Sequence, residues 1–254
     1  MIRALIREHL LYQWRTFRLQ GLLLAFTVTG LLSPAAAYFT PRVLAALPPE
    51  ELEGIQILMT RSPAADDAFA QYTGNFSLVS LLVVLVVSGA LAGEFSRGTA
   101  STLFSRPVRR STVYLARLSA VAAPVLGGLV LAGVLCSAYT WALFGPLDLA
   151  TVAWLHGLLA LRLLLDVSLA MSMSALTSST LMAGGTSLGG ALLLNVIGAL
   201  PVLGARTPGA LTGHATRLAH GQAVDGLLPA ALGAALLALV LTCVGLWRLR
   251  DRPA

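Results

Sequence analysis

Lysine is absent from this chain: all seventeen basic residues are arginine. A phosphate-binding loop of the Walker type needs a lysine against the phosphates, so the sequence offers no such ATP site. Charge of either sign is scarce. Charged residues make up 11% of the 254 positions, where a soluble domain carries about a quarter. That deficit excludes a fold built around a water-facing surface. Cysteine is limited to Cys136 and Cys243. Both sit inside apolar runs, with neither a disulfide framework nor metal-ligand spacing, and the redox compartment stays open. The net charge of +6 does not argue for nucleic acid, because the arginines are not interleaved with aromatics on a polar face.

What is present is apolar. Hydrophobic residues reach 57% and the mean hydropathy is +0.81. Six runs approach the roughly 20 residues needed to cross a bilayer as a helix. They are approximately Leu19–Phe39, Phe76–Ala92, Val113–Leu135, Trp154–Ala175, Leu181–Leu203 and Leu227–Trp247, and the third can continue to Phe144. Pro34, Pro124 and Pro201 should kink or end the spans that hold them. The stretch "GLLLAFTVTGLLSPAAA" from Gly21 has the look of a signal-peptide core. The long patterned segment before it makes a retained first span the expectation.

That preceding segment, 1–18, reads as an amphipathic helix. Ile2, Leu5, Ile6, Leu10 and Phe17 share one face; Arg3, Arg7, Arg15, Arg18 and Glu8 share the other; Leu11 and Trp14 break the pattern. Such a helix lies in the headgroup plane, or packs on another subunit. The rest, 19–254, is expected to be one six-span domain with outer loops at 40–73, 145–153 and 204–226.

Charge assigns the loops to sides. Segments 1–18, 93–117 and 248–254 hold twelve arginines and three acids, whereas the three outer loops hold four arginines and seven acids. The positive-inside rule places the first group, with both termini, in the cytoplasm. In the outer loop 40–73, "PPEELEGIQILM" reads as a short helix with Leu52, Ile55, Leu58 and Met59 on its apolar side.

The densest basic stretch, "GEFSRGTASTLFSRPVRRSTVYLAR" (Gly93–Arg117), carries five arginines and one acid. Glu94 ends span two, Gly98 can stop its helix, Thr99 or Ser101 can cap a short new helix, Pro107 ends that helix, and Ser111 can cap span three. A short helix held between two spans, with Arg106, Arg109 and Arg110 beside it, can take a push from a partner protein.

This stretch resembles the signature of type-2 ATP-binding-cassette (ABC) exporter permeases: a glutamate ending span two, then Arg-Gly-Thr, a leucine-rich turn, Pro-Val-x-Arg and a basic residue entering span three. Here those positions are Glu94, Arg97, Gly98, Thr99, Leu103, Pro107, Val108, Arg110 and Arg117. Ala100-Ser101 stands where the family more often has Leu-Glu, and Arg117 where it more often has lysine. "MSALTSSTLMA" (Met173–Ala183) is similar to the family's second inner turn. The resemblance implies an all-α integral membrane protein with six transmembrane helices, an N-terminal interfacial helix and a cytoplasmic coupling helix between spans two and three. It implies a non-enzymatic permease subunit in the plasma (inner) membrane, paired with a second permease copy or a homologous permease. ATP and Mg would be bound by a separate ABC ATPase subunit, contacted through the coupling loop 93–112 (Glu94, Arg97, Gly98, Thr99, Leu103, Arg106, Pro107, Arg109 and Arg110), with no cofactor or metal in this chain. From the residues alone, an intramembrane enzyme (a protease or lipid-modifying protein) and a non-transporting membrane scaffold stay open as alternatives.

Three further features are candidates. "RLLLD" puts Arg162 and Asp166 inside span four, one helical turn apart and able to neutralise each other; the pair either faces the translocation path or locks span four to a neighbour, with Asn195 as the partner. "GTSLG" (Gly185–Gly189) matches a nucleophile elbow, but it lies in an apolar helix without a histidine partner, so Gly185 and Gly189 are read as a helix-packing face, as are Gly89 and Gly93. His214 and His220 are expected in a solvated outer loop, and His156 at the interface.

Overall fold

A computed structural model describes residues 2–46, 64–96, 98, 109–201 and 203–251. Among these every regular element is helical: α1 (Ile2–Arg15), α2 (Arg18–Ala45), α3 (Ala65–Ser96), α4 (Arg110–Phe144), α5 (Leu149–Leu176), α6 (Thr180–Gly198), a short α7 (Leu211–Ala219) preceded by two 3-10 turns, and α8 (Leu227–Asp251). Six of them, α2 to α6 and α8, are long and apolar enough to cross a membrane. The protein is an all-helical, multi-pass membrane protein.

The centre of the bundle is α5. Most of its apolar residues are buried, including Leu155, Leu159, Leu163, Leu165 and Met171, while Leu149 and Trp154 near its start are exposed, and a helix without a polar face belongs inside. It packs on α3, α6, α7 and α8, while α2 lies across α3 and α4. The contact with α8 uses small residues: Ala230 and Ala234 are fully buried, while Leu228, Leu232, Leu236 and Leu239 point outward. In a bilayer leucine gains nothing by leaving lipid, so close backbone approach and polar links hold helices together. Ser172 Oγ donates to Leu241 O at 2.5 Å, and Thr242 Oγ1 to Ser168 Oγ at 3.4 Å.

Several helix ends differ from the sequence expectation. Residues 65–73, expected in a loop, are the first turns of α3. Asp66 and Asp67 occupy its first turn, where they meet the positive end of the helix dipole, and Ala68, Phe69, Tyr72, Thr73 and Phe76 form its buried face. α4 does run to Phe144, with Gly145 (φ +92) closing it. Pro34 and Pro124 are accommodated inside α2 and α4. α4 starts at Arg110 behind the N-cap residue Arg109, so Ser111 is inside the helix rather than its cap. The segment 204–226 is not an open loop: α7 packs against α3 and α5, pinned by the Thr73–Thr216 hydroxyl pair at 2.8 Å.

α1 is helical as expected. His9 and Gln13 face the bundle, while Ile2, Leu11, Trp14 and Phe17 are exposed. Phe17 forms the turn into α2 with φ 58, a left-handed conformation that a bulky residue adopts at a cost of about 1–2 kcal/mol.

Candidate functional site: the basic junction and the buried charge pair

The α3–α4 connection leaves the same end of the bundle as the two termini. Of its candidate residues, Arg97, Thr99, Leu103, Arg106 and Pro107 lie outside the described residues, as do the expected coupling helix and the outer helix at 48–59. Both flanks of the connection are described. α3 ends at Ser96, two residues beyond Glu94, and Gly98 follows in the left-handed region (φ +70), donating its N–H to Phe95 O at 3.1 Å. That is the helix stop expected of a glycine at this place.

The flanks are bound together by Arg117. Its Nη2 lies 2.7 Å from Glu94 Oε1 and 3.6 Å from Glu8 Oε2, and its Nη1 donates to Leu5 O at 3.4 Å. One buried guanidinium thus ties the C-terminal end of α3, the first turns of α4 and the helix α1. The Glu94–Arg117 ion pair reaches from α3 to α4. Two residues that sequence reasoning did not single out extend the junction inward. Ser174 Oγ, on α5, accepts from the N–H groups of Leu91 and Ala92 at 2.9 and 2.8 Å. Arg18 lies over Gly89, where a Cβ would come 3.2 Å from Nη1, so Gly89 makes room for an arginine rather than a helix. Gly93 is buried on the same helix. Arg110 Nη1 donates to Leu249 O at 3.3 Å, fastening the end of α8. Arg109 is exposed. The turn at 177–179 between α5 and α6 opens at this end too, with Ser179 capping α6 through Met182 N.

The Arg162–Asp166 pair forms as expected. Arg162 Nε is 3.2 and 3.1 Å from the two carboxylate oxygens, and both side chains are essentially fully buried, at 1% and 0% exposure. The third member is Ser80 on α3, whose hydroxyl donates to Asp166 Oδ2. Asn195 is not part of it: it lines a cavity at the C-terminal end of α6.

On α6 the expected packing face is open. Among the described residues nothing lies within 4 Å of a Cβ built on Gly185 or Gly189, whereas Gly184 and Gly190 meet Ser88 and Leu169. Of the histidines, His214 departs from the expected solvated loop, while His220 is exposed. His156 is half-buried, its Nδ1 against Val152 O at 2.8 Å and its ring against Tyr72. His214 is 1% exposed and its Nε2–H donates to Ala205 O at 2.7 Å. His220 neighbours Asp66, at 3.9 Å, rather than His214.

No family model matches the chain. A stretch of 112 residues is 28% identical to the uncharacterized transmembrane protein YxlG of Bacillus subtilis (strain 168), and the match spans 42% of this chain and 42% of that protein. Both the bundle and this relative belong to the class of membrane-spanning proteins.

Proposed function

We propose that the chain is the permease subunit of an ABC exporter of the type-2 class, working with a separate ATPase subunit. The observation that carries this reading is the motif Gly93–Arg117 at the terminus-bearing end of the bundle, with its flanking helices clamped by Glu94 and Arg117. A connection clamped in this way transmits a push at 97–108 to α3 and α4 together, and through Ser174 to α5. Two permease copies, or this chain and a homologue, form the translocation unit. ATP and Mg bind the partner ATPase and export follows its closure. The arginine excess at this end supports a cytoplasmic position for it and for both termini, at the plasma membrane.

Affinity purification from the native membrane tests the reading. An ATPase subunit of ordinary soluble size should co-purify, and its hydrolysis should respond to Arg109→Glu, which reverses an exposed charge without touching the Arg110–Leu249 contact. Absence of any ATPase from native preparations overturns the proposal.

A further inference from the structure

At the end of the bundle opposite the basic junction, a cavity of about 450 Å³ opens between α3, the end of α6 and α7. Its scaffold is unusually tight. A Cβ on Gly209 would lie 1.7 Å from Leu194 O, and one on Gly198 would lie 2.3 Å from Gly209 C, so the 208–210 turn rests backbone-to-backbone on α6. His214 fixes the adjoining 204–206 turn through Ala205 O. The walls are therefore held by main-chain contacts, which side-chain motion does not loosen.

The lining carries one kind of charge. Arg217 supplies a cation, and no carboxylate is among the described residues that line the cavity. Among the described residues no acidic side chain forms an ion pair with Arg217. Around it stand Ser77, Thr212 and Asn195, three groups that both donate and accept hydrogen bonds. A cation together with amide and hydroxyl groups lining a pocket of this size has the make-up of a small-ligand site. An apolar ligand would leave these groups unpaired, and a bare anion would use only their donors. A molecule with one oxyanion and adjacent hydroxyls uses both.

We infer that this cavity binds a hydroxylated oxyanion of the glycerol-phosphate kind. Its phosphate lies against Arg217 and its hydroxyls against Ser77, Thr212 and Asn195. The inference is independent of the transport reading. The same chemistry reaches the site from two sources, a soluble polyol phosphate or the headgroup of phosphatidylglycerol in the facing leaflet.

Two arms separate the sources. Equilibrium dialysis of the purified protein in detergent with labelled glycerol 3-phosphate reads the first. Native mass spectrometry of lipid retained from phosphatidylglycerol against phosphatidylcholine nanodiscs reads the second. Saturable binding of one molecule per chain is expected in at least one arm. Because Arg217 is exposed and outside the core, Arg217→Gln should keep the fold and weaken that binding about tenfold, the worth of one charge-assisted hydrogen bond. Thr212→Val should weaken glycerol phosphate more than inorganic phosphate. Absence of saturable binding in both arms, or unchanged affinity in Arg217→Gln, overturns the site. Inorganic phosphate binding as tightly as glycerol phosphate overturns the polyol assignment.

Discussion

Arg117 and Glu94 meet at 2.7 Å across the two helices that flank the most basic stretch of the chain. The guanidinium side chain is 4% exposed and the carboxylate 13%, whereas the second acid, Glu8, is 65% exposed at 3.6 Å. These values rank the two pairs. Breaking a buried pair leaves an uncompensated charge and costs about 3–5 kcal/mol, while an exposed pair contributes about 0–1 kcal/mol. Glu94→Ala should therefore lower the melting temperature in detergent far more than Glu8→Ala. Arg117→Leu should also free α1, detected as faster proteolysis near Arg15. Equal melting of the two acid variants would show that Glu94 is not the anchor.

The glycines make an equally sharp contrast. Gly209→Ala places a Cβ on the carbonyl oxygen of Leu194, a backbone clash that only displacement of the turn relieves. Folded yield should fall severely, read by fluorescence-detected size exclusion. Gly185→Ala with Gly189→Ala meets open space. Since alanine is favoured over glycine in a helix by about 0.5–1 kcal/mol, the fold of the single chain should be unharmed or slightly firmer. A shift of that double variant from dimer to monomer, with melting unchanged, would assign the open face to a contact between copies of the chain.

The architecture was readable where one length scale decides. Six apolar windows had to be helices because lipid offers the backbone no partner, and the Arg162–Asp166 pair followed from four-residue spacing. Helix ends were less readable because polarity competed with periodicity. Residues 65–73 contain two aspartates, yet Ala68, Phe69, Tyr72, Thr73 and Phe76 already repeat at helical spacing. The same holds for α7, where Leu211, Ala215, Leu218 and Ala219 repeat at helical spacing and carry His214 inward. The Arg117–Glu94 contact was hidden for a different reason: it joins residues 23 positions apart, and only the packing of α3 on α4 brings Glu94 to Arg117.

Orientation is testable at described positions. In a background with Cys136 and Cys243 replaced, a cysteine at the exposed Gln222, beyond α7, should react with an impermeant thiol reagent added to intact cells. One at the exposed Ser178, in the α5–α6 turn, should react only after the membrane is opened. Labelling of position 178 alone in intact cells would invert the topology that the twelve-to-four arginine asymmetry predicts.

The buried pair on α5 gives the strictest test of the core. Arg162 and Asp166 lie about 20–26 Å along a helix rising ~1.5 Å per residue, near the middle of the span. An unpaired charge there costs about 2.5–3.5 kcal/mol on insertion-based scales. Asp166→Ala removes the acid and strands the guanidinium, so it should lower folded yield strongly. Arg162→Leu combined with Asp166→Leu removes both charges and should recover most of that yield, since replacing a buried pair by apolar side chains is often neutral. Ser80→Ala removes one hydrogen bond to a charged acceptor and should fall between them, at about 1.5–3 kcal/mol. The double variant then separates two roles. If it folds but the purified complex no longer hydrolyses ATP, the pair belongs to the moving part of the bundle, since α3 and α5 are both tied to the basic junction. If it folds and hydrolysis is unchanged, the pair only fixes α5 against α3. Wild-type yield from both single variants would mean that the charges are hydrated and that α5 is not the buried centre.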